Sequence, residues 1–225
     1  MFGWTMKNSA INHRAMELTG AYDGGLGQQT MGLMAGTRVA SNLGWRSVDA
    51  LAAGDMVLTF DNGMQELLEV RRQTFWLDAP HSDPSLWPVT VPAGALDNRT
   101  ELTLLPDQGV LVESDAAADA FGDPFAVVPA HALDGVRGIY RAAPQQQVEL
   151  ITLIFAAEEV IYVEGGALVH CPRAVSALDA MLHGETGAYE TLAPNEAAFV
   201  AECMVMEDQI LATGGGAYGQ ATVVC

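Results

Sequence analysis

An all-β domain is what this sequence predicts, on three observations. Short apolar runs recur between turn residues at intervals of about 8–15 residues, the spacing of an antiparallel sheet rather than of βαβ units. Between those runs there is no convincing helical periodicity, only single helical turns at Val48-Asp49-Ala50-Leu51 and Pro129-Ala130-His131-Ala132-Leu133. Asp61-Asn62-Gly63 sits between two such runs, and an Asn-Gly pair tolerates the positive φ angles that tight hairpins need.

Taken in order, strands are predicted at Thr37–Ala40, Asp55–Phe60 and Gln65–Arg71, then at Trp87–Val91, Glu101–Leu105, Gly109–Val112, Ala126–Val128, Val148–Phe155 and Val160–Val163. A first turn at Gly44 and a second at Gly54-Asp55 separate the opening strands. Alternation in Trp87-Pro88-Val89-Thr90-Val91 points to one buried face, and Trp45, Phe75, Trp76, Trp87 and Tyr162 read as core of the β-domain. The domain is expected to span residues 32–171. An N-terminal arm, 1–31, ends in the glycine cluster Asp23–Thr30. A mainly helical extension and tail, 172–225, carries helical patterns at Pro172–Leu182 and Pro194–Met204 before Gly214–Gly219.

Half of the 225 residues are apolar and the net charge is −18, with Lys7 the only lysine. A real core is therefore expected, while nucleic-acid phosphates and anionic lipid are repelled. No stretch reaches the ~20 apolar residues of a membrane span, and charged residues interrupt the first twenty, so no membrane insertion and no signal peptide are expected. The chain is expected to be soluble, cytoplasmic or non-classically secreted. Cys171, Cys203 and Cys225 form no metal-ligand spacing, and their odd number argues against a disulfide framework. No metal and no cofactor are expected, because His13, His81, His131 and His183 are scattered and Gly165-Gly166 lacks a strand–GxGxxG–helix context.

Five segments in order carry a family resemblance: Gly36-Thr37 with its strand; Gly44-Trp45-Arg46-Ser47-Val48 running into Gly54-Asp55-Met56-Val57-Leu58-Thr59; Pro88–Arg99; Val128-Pro129-Ala130; and Val160–His170. Together they resemble the Hint domains of Hedgehog proteins and inteins, in the form found in bacteria. The resemblance implies a horseshoe of bent β-hairpins that brings both ends of the β-domain to one cleft, so Gly32 and His170 should lie close together.

Family chemistry, as the resemblance implies it, starts with an N→S or N→O acyl shift at a Cys or Ser opening the domain. Glycine occupies that position here, as Gly32, and has no side chain to attack with. The family's T/S-x-x-H element falls on Leu105-Pro106-Asp107-Gln108. Leu105 replaces the hydroxyl and Gln108 the histidine; a carboxamide donates hydrogen bonds but moves no proton near neutral pH. At the closing His-Asn pair, His170 is followed by Cys171. His170 and Cys171 remain the candidate catalytic residues, since a protonated histidine lowers a neighbouring thiol's pKa. Three of the family's catalytic positions, Gly32, Leu105 and Gln108, are thus degenerate. The expected function is a Hint-like domain that has lost autoprocessing and serves as a binding or structural module for an unidentified protein partner. The alternative is a self-processing domain acting through His170 and Cys171. Glu113-Ser114-Asp115 and Asp119–Asp123 read as solvated loop carboxylates, and Glu158-Glu159 as a turn between strands.

Overall fold

The computed structural model describes residues 31–76, 84–143, 147–171, 173 and 189–213. All belong to one compact unit, Met31–Cys225. The expected N-terminal arm through Thr30, His13, His81, His183, Cys225 and, apart from Arg173, the helical pattern expected at Pro172–Leu182 lie outside the described residues.

Two antiparallel sheets carry the domain. The six-stranded sheet contains β1 (Leu33–Met34), β6 (Glu69–Trp76), β7 (Val89–Val91), β8 (Leu102–Leu104), β11 (Tyr140–Arg141) and β12 (Gln147–Ile154), in the order β11-β7-β8-β1-β12-β6. The eight-stranded sheet contains β2 (Arg38–Ser41), β3 (Gly44–Ser47), β4 (Met56–Thr59), β5 (Gly63–Glu66), β9 (Gly109–Glu113), β10 (Phe125–Pro129), β13 (Glu159–Val163) and β14 (Ala167–Cys171). Its order is β10-β9-β14-β13-β2-β4-β5, with β3 paired to β2. Among the described residues two α-helices accompany the strands: α1 (Asp115–Phe121), between β9 and β10, and α2 (Pro194–Ala212), after β14.

Local chemistry accounts for the turns. β4 and β5 pair from Thr59↔Gly63, where Gly63 takes a φ of 65° and Thr59 Oγ1 donates to the Gly63 carbonyl at 2.9 Å. The loop 92–100 is wound around buried Asn98, whose carboxamide accepts from Leu96 N–H and donates to the carbonyls of Pro92 and Thr100. Beside it, the Glu164 carboxylate accepts from the Arg38 backbone N–H at 2.6 Å and from the Thr100 hydroxyl. That clasp ties β2, the 92–100 loop and the β13–β14 turn together.

Several expectations are corrected. The core is aliphatic: Leu51, Leu67, Leu104, Ile151 and Ile161 are fully buried, whereas Trp45 is 37% exposed and Tyr162 and Trp87 are only partly buried. β-Branched and leucine side chains fill the pleated faces, leaving the larger rings at the rim. Residues 65–71 divide between β5 and β6 around buried Leu67. Strands β1, β11 and β14 join the expected set, and β3 is the short strand expected between the Gly44 and Gly54-Asp55 turns. Asp115–Phe121, read as part of an acidic loop, is a helix: Ser114 Oγ accepts from Ala116 N–H at 3.2 Å, and Gly122 closes it with a φ of 81°. The signal was present in Ser114-Asp115-Ala116-Ala117-Ala118, an N-cap followed by the strongest helix former. Cys203 is disulfide-bonded and Cys171 is free.

Candidate functional site: the cleft at Gly32, Gln108 and His170

Three chain segments from both sheets meet at one point. Gly32 immediately precedes β1 in the six-stranded sheet; Gln108 precedes β9, and His170 lies near the end of β14, in the eight-stranded sheet. Gln108 is positioned by backbone: its N–H donates to Leu105 C=O at 3.1 Å, and its own carbonyl accepts from Ala130 N–H at 2.9 Å.

The Gln108 side chain is 1% exposed and joins the two ends of the β-domain. Its Oε1 accepts from the Gly32 N–H at 2.9 Å, and its Nε2 donates to the His170 carbonyl at 2.7 Å and to the Gly109 carbonyl at 3.3 Å. Gly32 and His170 are therefore held to one carboxamide, as the expected convergence of the two ends requires. On the other side of the Met31–Gly32 peptide, Thr152 Oγ1 donates to the Met31 carbonyl at 3.2 Å. That peptide group is gripped at both its N–H and its C=O. A Cβ built on Gly32 would lie 3.2 Å from Thr152 Oγ1 and 3.3 Å from the Ile151 carbonyl oxygen, so a nucleophile-bearing residue would have to push its neighbours aside. Leu105 is partly buried in the turn leading to Gln108.

Strand alternation sends His170 and Cys171 to opposite faces of β14. His170 is 3% exposed, and its Nε2 lies 2.9 Å from Glu158 Oε1. Glu158 Oε2 in turn accepts from the Tyr189 N–H at 3.1 Å, and the Tyr189 ring stands 5.9 Å from the imidazole. Burial holds the His170 pKa below its ordinary value, against the opposing pull of the Glu158 carboxylate. Nδ1, the other ring nitrogen, is buried without a hydrogen-bond partner. Nδ1 packs over Gly109, where an added Cβ would approach it to 3.2 Å and His170 Cβ to 3.0 Å.

Cys171 is 7% exposed and packs in the main hydrophobic core. Burial first, and the Glu159 carboxylate second, push its thiol pKa up to about 12. His170 and Cys171 are thus adjacent in sequence and separated by the thickness of the strand. Glu158, Thr152 and Tyr189 belong to the cleft as well. Glu158 sits in the turn expected for it, but nothing in the sequence announced its pairing across twelve residues with His170. Among the described residues, no cluster of His, Cys, Asp and Glu could hold a metal ion.

The sequence profile of the Hint domain family matches residues 31–168, from the gripped peptide to the middle of β14. This chain belongs to the Hint domain family. Solved structures similar to the chain include a splice-inactive AceL NrdHF class 3 split intein, at 11% identity and a TM-score of 0.42, covering 64% of this chain and 99% of that one. The bacterial intein-like domain from Clostridium thermocellum matches at 15% identity and 0.40, covering 62% and 98%. The gp41-1 intein matches at 16% identity and 0.40, covering 62% and 97%. No curated protein matches the chain. No helix among the described residues is long and apolar enough to cross a membrane.

Proposed function

We propose that this Hint domain no longer processes itself and instead serves as a binding or structural module. The observation that carries the proposal is the Gln108 carboxamide, seated between the Gly32 N–H and the His170 carbonyl where a proton-transferring side chain would be required. A carboxamide holds the Met31–Gly32 peptide but cannot protonate its nitrogen as the bond breaks. Gly32 supplies no nucleophile, and a side chain placed there would crowd Thr152 Oγ1 and the Ile151 carbonyl at 3.2 and 3.3 Å. A thiol with a pKa near 12, packed in the core, gives the alternative route through Cys171 no reactive thiolate at neutral pH. Domain limits of 32–171 and 172–225 belong to the same proposal, with Tyr189–Leu192 and α2 packed on the β-domain as a structural extension.

Intact-mass spectrometry of the freshly purified full chain, held for days with and without dithiothreitol, tests this. One unchanged mass is expected. A pair of fragments from a break at Met31–Gly32 or beside Cys171 would overturn the proposal.

A further inference from the structure

We propose that the groove between the last turns of α2 and the β10-β9-β14 end of the eight-stranded sheet docks a short, basic, amphipathic segment of a partner protein. The groove encloses about 1030 Å³. On the sheet side its wall is Phe60, Phe125 and Leu168; on the helix side it is Ile210 and Leu211. Ile210 is 49% exposed, Leu211 77% and Phe125 37%, so the groove presents large apolar side chains to water. Covering them is favourable at about 25 cal/mol per Å².

Polar ties hold this apolar overhang in place. Asp208 grips Arg137 through two hydrogen bonds, 2.7 and 2.9 Å long. The preceding residue, Glu207, accepts from the Ser114 hydroxyl at 3.0 Å and from the Ala116 N–H at 3.3 Å, locking α2 to the start of α1. A partner therefore meets an already ordered surface and loses little affinity to ordering it.

Charge selects the partner. Exposed Asp97, Glu113 and Asp115 line the groove, and its one guanidinium, Arg137, is already held by Asp208. Lysine or arginine flanking an apolar stripe matches that pattern, in the manner of an amphipathic helix laid in a groove. Nucleic acid, anionic lipid and a second copy of this chain, at net charge −18, all bring like charge to it.

The test uses the full chain and a fluorescein-labelled synthetic peptide patterned with leucine and lysine, followed by anisotropy. Two control peptides carry glutamate for lysine or serine for leucine. Only the leucine–lysine peptide should bind, more weakly as salt rises from about 0.05 to about 0.5 M. The double variant Ile210→Ser and Leu211→Ser should weaken binding by at least roughly tenfold. Leu43→Ser, at an exposed position outside the groove, should leave it unchanged. Neither change alters net charge, so diffuse attraction to an acidic protein predicts equal binding by all variants. That result would overturn the proposal. So would no binding of the peptide, or a concentration-dependent dimer that the double variant abolishes. The proposal extends the binding-module reading without depending on the state of the cleft, because cleavage at Met31–Gly32 would leave groove binding intact.

Discussion

Replacing Gln108 with leucine removes the link between the two ends of the β-domain while keeping nearly the same bulk. The Gly32 N–H and the His170 carbonyl would each lose a buried partner, at 2.9 and 2.7 Å respectively. A buried polar group left without a partner costs about 1–3 kcal/mol, so two orphans sum to about 2–6 kcal/mol. The extra apolar burial of leucine offsets about 1 kcal/mol of that. A net loss of about 3 kcal/mol is expected, which in a domain of this size lowers Tm by about 6–12 °C. Urea unfolding followed by fluorescence, alongside a thermal scan, measures it. Gln108→Glu sharpens the test, since an ionised carboxylate would face the His170 and Gly109 carbonyls with no proton to donate. Repulsion and burial raise the pKa of that glutamate above its unfolded value, so the folded state binds its proton first. Its destabilisation should be greatest near neutral pH and shrink as pH falls and the carboxyl regains a donor. A Leu variant within about 2 °C of the parent, with a Glu variant whose deficit does not change with pH, would refute the strut role of Gln108.

Gly166→Ala should be severely destabilising, by about 2–4 kcal/mol, because the new Cβ would sit 2.3 Å from the Asp97 carbonyl oxygen, a backbone atom that cannot swing away; denaturant midpoints read it directly. Cys171 should resist iodoacetamide at pH 8 in the native protein, where a pKa of about 12 leaves about one thiolate in ten thousand, and react quickly once the chain is unfolded; mass spectrometry of the modified peptide distinguishes the two states. For His170, burial lowers the folded pKa, so on acidification the unfolded chain takes up the proton first. The His170 contribution to stability is then full above the unfolded pKa of about 6.5 and is lost as pH falls below it, and His170→Gln should remove this slope; stability curves for the two proteins that stay parallel between about pH 5 and 7 would contradict the assignment.

The all-β class, most of the strands and the Hint pattern were legible in the sequence because each rests on local chemistry. Apolar runs of strand length, Asn62-Gly63 and the Gly54-Asp55 turn signal themselves within a few residues of chain. The identities of Gly32, Leu105 and Gln108, on which the proposed loss of autoprocessing rests, were legible in the same way. Helix α1 was legible too, in its Ser114 cap and alanine run, but the flanking aspartates draw it towards a solvated-loop assignment. For Trp45, Trp87 and Tyr162 the aromatic-core expectation mistook size for burial: Trp45 lies in β3, 37% exposed, and the interior is mainly Leu, Ile and Val with Phe155.

Residue identity by itself thus determined which side chains stand at Gly32, Gln108, His170 and Cys171, and the tertiary structure decided what each of them touches. Sequence placed Gln108 where a histidine was expected but could not reveal the two backbone groups, 76 and 62 residues away, that its carboxamide joins. It set His170 beside Cys171, but not the strand face that sends one to Glu158 and Tyr189 and the other into the core. Partners that far apart in the chain meet only when the two sheets close on each other. Their hydrogen bonds and desolvation are properties of that closure and leave no local trace in composition or spacing.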